Sequence, residues 1–181
     1  MRGEIQLNNG NVRKLVVAAM MTALIIALSG LYIPVGASKC FPIQHMMNIL
    51  AAVLLGPGWG VAIAFCASLI RNLIGTGTLL AFPGSMIGAL LCGLTYRYTK
   101  RLIPTYAAEI AGTGILGGLV AYPIALLILE NRAAALFTYV LPFLISTVGG
   151  TLIAAILIAV FAKTKALAYM QRQLHTPANR R

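Results

Sequence analysis

Two short stretches concentrate the side chains of this sequence that can do chemistry. In KCFPIQHMMNIL, Gln44, His45 and Asn48 lie close together, and the spacing of His45 and Asn48 puts both on one face of a helix. In RNLIGTGTLLAFPGS, Arg71, Asn72, Thr76, Thr78 and Ser85 surround Gly75, Gly77 and Gly84. Amides, an imidazole, a guanidinium and hydroxyls make a set of hydrogen-bond donors and acceptors suited to holding a small molecule. The familiar catalytic patterns do not fit. A phosphate loop needs Lys after its second glycine, and none follows Gly75 or Gly77; a dinucleotide fingerprint needs a third glycine where Leu80 stands. A hydrolase built on Ser85 with His45 as base lacks GxSxG and has no acid nearby in sequence to orient the histidine. Cys40, Cys66 and Cys92 are odd in number and show no CxxC, so neither a metal site nor a disulfide is expected, and no cofactor.

The elements that must position these residues are membrane spans. The chain has 181 residues, 60% hydrophobic and 9% charged, where soluble domains run at about 45–50% and about 25%. Too few polar side chains remain to cover a water-facing surface. Apolar runs suited to crossing a ~30 Å hydrocarbon layer fall at Leu15–Ile33, Gln44–Leu55, Trp59–Ile74, Gly84–Tyr96, Tyr106–Leu129 and Tyr139–Ala162. The expected fold is therefore an all-α integral membrane bundle of about six transmembrane helices, one domain over residues 1–181. The second and fourth runs are short and need tilt, thinning or burial against neighbours. Arg13-Lys14 and the apolar run ending at VGA before Ser38 also resemble a signal peptide, but membrane-like segments throughout make a first span the more economical reading.

Charge sets the expected orientation. With the N-terminus inside, Arg2, Arg13, Lys14, Arg97, Lys100, Arg101, Lys163, Lys165, Arg172, Arg180 and Arg181 are cytoplasmic, and Lys39, Arg71 and Arg132 are outside, 11 against 3 of the 14 basic residues. Both termini, a 1–14 segment and a 163–181 tail, then face the cytoplasm of a cell-membrane protein. The polar end of the tail, QRQLHTPANRR at residues 171–181, is expected to fray, with His175 solvated. The net charge of +11 reflects this topology, since no basic stripe with interleaved aromatics points to nucleic acid. The polar stretches gather on the outer side. GTG there fits a plain tight connection or irregular backbone lining a cavity; Arg71-Asn72 at the end of an apolar run favours the cavity, because intramembrane charge is costly.

Absences matter too. The acids are Glu4 in the N-terminal segment, Glu109 read as beginning the fifth span, and Glu130 following it. No acid is evident at mid-membrane, and no ATP-hydrolysing motif exists, so an uptake protein of this kind must borrow its energy. The first span offers a surface for a partner: Ala19, Ala23 and Ala27 recur every four residues, and small residues on one stripe admit a second helix closely. Gly112, Gly117, Gly149 and Gly150 are expected to serve packing within the bundle.

These features together resemble the substrate-binding S component of an energy-coupling factor (ECF) transporter. More narrowly, FPIQHMMNILAAVLLGPGWGVAIAF and SLIRNLIGTGTLLAFPGSMIGALL resemble the ThiW family, and the likeness extends over nearly the whole chain. The resemblance implies uptake of the thiazole moiety of thiamine, hydroxyethylthiazole. It also implies a membrane T subunit, contacted by the alanine stripe, and two cytoplasmic ATPase subunits as partners. The pocket expectation comes from the residues themselves: Gln44, His45, Asn48 and Asn72 for hydrogen bonds, Arg71, Thr76 and Thr78 around the loop, and Phe41, Phe82 and Tyr122 for aromatic faces. Two other functions stay open at this point. One is a stand-alone secondary carrier or channel with Glu109 and Glu130 as relays; the other is an intramembrane hydrolase using Ser85 and His45.

Overall fold

Proline starts two of the helices that carry the site. Pro42 opens α2 (Pro42–Leu54) and Pro57 opens α3 (Pro57–Leu73), each in the first turn, where a missing N–H costs nothing. Between them Gly56 takes φ 93°, a left-handed conformation suited to glycine. The computed structural model describes residues 9–35, 38–130 and 135–175. Arg2, Arg132, Arg180 and Arg181, which enter the charge count, lie outside the described residues, as does Glu4.

Among the described residues there are seven helices, with residues 102–127 taken as one, and a two-stranded hairpin. Helix α1 spans Asn9–Ala27. Strands β1 (Ile33–Val35) and β2 (Ser38–Cys40) pair antiparallel, Ile33 opposite Cys40. After α2 and α3 come α4 (Ala81–Thr99), α5 (Leu102–Leu127), α6 (Val140–Lys163) and α7 (Ala166–His175). Helices α1, α5 and α6 are long and apolar enough to cross a membrane. The first run departs from expectation: helix ends at Ala27, and the residues read as its outer end form a turn and β1.

Helix α2 is the centre of the bundle. Its 13 residues make about 20 Å, too short to span ~30 Å of hydrocarbon. Burial resolves the mismatch, since every residue but Ile43 is buried. Met46, Ile49, Leu50 and Val53 join Met21 and Ile25 of α1, Ile63 of α3 and Ile158 of α6 in the core.

Glycines bring α4 and α5 together. A Cβ on Gly117 would lie 2.5 Å from Gly84 Cα, and one on Gly112 would lie 3.0 Å from Gly88 Cα, so the backbones touch where side chains are absent. Gly150 of α6 likewise packs on Pro42 and His45. Residues Ile110–Gly117 of α5 form a π-helical stretch, a rare geometry often found beside functional sites.

The expectation of fraying is corrected for residues 171–175, while 176–181 lie outside the described residues. Residues Ala166–His175 form α7, with Leu174 buried and Leu167 and Met170 packed on the core. Gln171 Nε2 donates to Val53 O at 3.1 Å, and His175 Nε2 lies 3.1 Å from Leu54 O. His175 is thus bonded to the end of α2.

Candidate functional site

At the C-terminus of α3, the GTG sequence is a helix stop. Gly75, at φ 76°, is the left-handed residue just past the helix. Gly75 N donates to Asn72 O at 3.1 Å and Thr76 N to Arg71 O at 2.9 Å, the paired bonds of a Schellman motif. Gly77 N adds a third bond, 2.8 Å to Arg71 O, and a Cβ there would lie 3.0 Å from Arg71 Cβ. The motif turns the chain back over α3. Asn72 Nδ2 pins the turn through Ser68 O at 2.8 Å and Thr78 O at 3.0 Å.

That turn, the hairpin, the adjoining first turns of α2, α4 and α6 and the middle of α5 line a cavity of about 50 Å³. It has room for a few waters, and a ring-sized ligand requires its walls to part. Polar walls come from Gln44, His45, Thr78, Ser85 and Thr113, with Lys39 of the hairpin; Phe41 and Phe143 supply aromatic faces. Cys40 Sγ to Pro142 O, 3.2 Å, and Phe41 N to Ser146 Oγ, 2.8 Å, tie the hairpin end to α6.

Two buried charged residues stand behind these walls. Arg71 is 1% exposed. It donates from Nη1 to Gln44 Oε1 and from Nη2 to Thr76 O at 3.5 Å, and its guanidinium carbon lies 3.8 Å from the centre of the Phe41 ring. No carboxylate among the described residues pairs with it. Glu109 is fully buried. Its Oε1 accepts from Asn48 Nδ2 at 3.0 Å, Thr113 Oγ1 at 3.0 Å and His45 Nδ1 at 3.1 Å. Asn48 Nδ2 also reaches Ser85 O at 3.2 Å. Asn48 Oδ1, Arg71 Nε and Glu109 Oε2 are buried without a partner among the described residues. Room for the Glu109 carboxylate exists because Gly88 lacks a side chain: a Cβ there would lie 2.9 Å from Oε2 and collide with Thr113 Oγ1.

Of the expected pocket residues, Phe41, Gln44, His45 and Thr78 line the cavity. Asn48, Arg71 and Thr76 support it through the bonds just described, and Thr76 Oγ1 also meets Ser29 Oγ at 3.2 Å. Asn72 pins the loop. Phe82 packs edge-on against Phe65, centroids 5.8 Å apart, and neither Phe82 nor Tyr122 lines the cavity. The absence of a mid-bundle acid is overturned. Helix α5 begins at Leu102, so Glu109 lies two turns inside it. Ser68, bonded to Gln44, and Thr113, bonded to Glu109, belong to the site without standing in the expected set. One sequence signal for Thr113 existed, since Glu109 and Thr113 are spaced four apart on one helix.

Glu109 supplies the acid a serine hydrolase would need, yet Ser85 is turned away from that role. Its hydroxyl donates to Ala81 O at 2.7 Å and meets Ser68 Oγ at 3.2 Å, with no bond to His45. Donors and acceptors converging on a small cavity, with no activated nucleophile, describe a binding site.

The bundle with its hairpin is the fold of an S component: a solved S component for biotin from an ECF-type ABC transporter superposes with a TM-score of 0.65 at 20% identity, covering 89% of this chain and 95% of that one. No curated protein matches the sequence. Residues 15–164 match the family described as thiamine-precursor transporter protein (ThiW), and the chain belongs to that family. It is thus a multi-pass membrane protein of a transporter family, which is not an enzyme class.

Proposed function

We propose that this protein is the substrate-capture S component of an ECF-type uptake system and that its ligand is hydroxyethylthiazole. The observation that carries the reading is the chemistry of the cavity lining: Gln44, His45 and Ser85 meet there with Phe41 and Phe143, a set of donors, acceptors and aromatic faces that matches a small neutral heteroaromatic alcohol once the walls part to admit it. A groove of about 420 Å³ between α1 and α3 supports the partner half of the proposal. Ala19 and Ala23 line it with Ala18, Thr22 and Trp59, and Ala27 continues the exposed stripe. Such a surface suits close approach of a T-subunit helix, which would link capture to two cytoplasmic ATPases. In this reading both termini face the cytoplasm and the hairpin end faces out.

Uptake of labelled hydroxyethylthiazole, measured in cells with and without the T subunit and ATPases, tests the proposal. Uptake only with the full module is expected; none even then would overturn it. The buried His45–Glu109 pair gives a stand-alone proton-coupled carrier a specific footing. Liposomes holding this protein alone separate the two, because a carrier would accumulate the thiazole under a pH gradient and an S component would not.

A further inference from the structure

Resting on the thiazole reading, we infer that Arg71 and Glu109, neither of which lines the cavity, fix the polarity of two side chains that do. Gln44 is held as a donor and His45 as an acceptor. The site therefore selects a small heteroaromatic offering one ring acceptor and one hydroxyl donor.

The hydrogen bonds have determinable directions. A guanidinium only donates, so the Gln44 atom facing Arg71 Nη1 is Oε1. Gln44 Nε2 is left to donate, and it reaches Ser68 Oγ at 3.3 Å. The Ser85 hydrogen is committed to Ala81 O at 2.7 Å, so Ser68 donates to Ser85 across 3.2 Å and accepts from Gln44. The chain from Arg71 to Ala81 O runs one way. A primary amide nitrogen carries two hydrogens, and the second on Gln44 has no partner among the described residues, on a side chain bordering the cavity.

The other half works through Glu109. Asn48 Nδ2 touches both a backbone carbonyl, Ser85 O at 3.2 Å, and Glu109 Oε1 at 3.0 Å. An atom bonded to a carbonyl oxygen is a donor, so Oε1 is an acceptor. With Glu109 ionised, its Oε1 can only accept, so His45 Nδ1, 3.1 Å from the same oxygen, carries the hydrogen. A neutral imidazole protonated at Nδ1 presents Nε2 as an acceptor. Nε2 has no partner among the described residues, and His45 borders the cavity. A thiazole nitrogen can accept from Gln44 while the ligand hydroxyl donates to His45.

The test uses purified full-length protein in detergent and three probes measured by calorimetry. These are hydroxyethylthiazole, its methyl ether, which lacks the donor, and the matching hydroxyethylthiophene, which lacks the ring acceptor. In the wild type each change should weaken binding about tenfold or more, the effect of leaving one buried group unpaired. Glu109→Leu should bring the alcohol-to-ether preference below about threefold and leave the thiazole-to-thiophene preference intact. Arg71→Met should do the reverse. Glu109→Gln, which keeps an accepting oxygen, and Arg71→Lys, which keeps a cationic donor, should preserve both preferences. A purely structural role predicts parallel losses for all three probes, and that result overturns the inference while leaving the thiazole reading standing. Should either disruptive variant fail to fold, His45→Phe and Gln44→Leu must produce the same split, and unsplit losses there overturn it equally. Failure of the wild type to bind any of the three overturns the thiazole reading and this inference with it.

Discussion

Glu109 and Arg71 show how single buried charges organise this site. One carboxylate oxygen gathers α2 and α5 by accepting from His45, Asn48 and Thr113, and one guanidinium braces Gln44 and the Phe41 ring. Asn72 has a different task. Asn72→Ala removes two bonds that pin the turn to α3. It should lower stability by about 1–2 kcal/mol, read as a fall in Tm, while weakening ligand binding less than His45→Ala does. Equal loss of affinity in the two variants, with unchanged Tm for Asn72→Ala, would put Asn72 in the ligand's own contacts. The polar run from Gln44 to Asn48 was legible in the sequence because polar side chains inside an apolar span need partners. Glu109 was misplaced because the start of its helix was read at Tyr106 rather than Leu102. That shift of about one turn moves a boundary residue into the interior. The convergence of Ser68, Ser85 and Thr113 comes from three separate helices, and no local pattern encodes it.

At the scale of elements, the helices are set by caps and by glycine contacts. The Schellman motif at Gly75 ends α3, and Gly84, Gly88, Gly112 and Gly117 let α4 and α5 meet backbone to backbone. Gly88→Ala should destabilise the protein by about 1–3 kcal/mol, the usual cost of overpacking a filled interior. It should also weaken ligand binding, because the new methyl displaces Thr113 and crowds Glu109. Thermal unfolding and calorimetry check both parts; unchanged Tm would mean that α4 and α5 separate more readily than this packing allows. The positions of α2, α3, α4 and α6 were legible from apolar runs, while the starts at Pro42 and Pro57 and the stop at Gly75 emerge from the fold. Helix α7 is masked by the polarity of the tail. Its amphipathic signal was present in Leu167, Met170 and Leu174, which recur at helical spacing and pack on the core. Strand β1 is hidden because Ile33 closes the first apolar run, and β2 is three residues with no apolar alternation to mark it.

For the whole molecule, a buried polar chamber sits beneath the hairpin at one end of an apolar bundle, and an exposed alanine stripe runs along α1. The proposed topology makes a direct prediction. In a background without native cysteines, a cysteine at position 131 should react with an impermeant reagent from outside, and one at exposed position 99 should react only after the membrane is opened. External labelling at position 99 would reverse the inside–outside assignment. Ala23→Leu should leave ligand affinity unchanged and reduce recovery of the complex with the T subunit, because a bulky side chain holds the partner helix away. Normal recovery and normal uptake from that variant would remove the stripe from the interface. The central claim is that the cavity around His45 captures a thiazole alcohol. Its most direct test is calorimetric titration of hydroxyethylthiazole into the purified wild type and into folded His45→Ala. The account predicts saturable binding by the wild type and a loss of about 1–3 kcal/mol in the variant, whereas equal affinity in both, or no binding by the wild type, would contradict it.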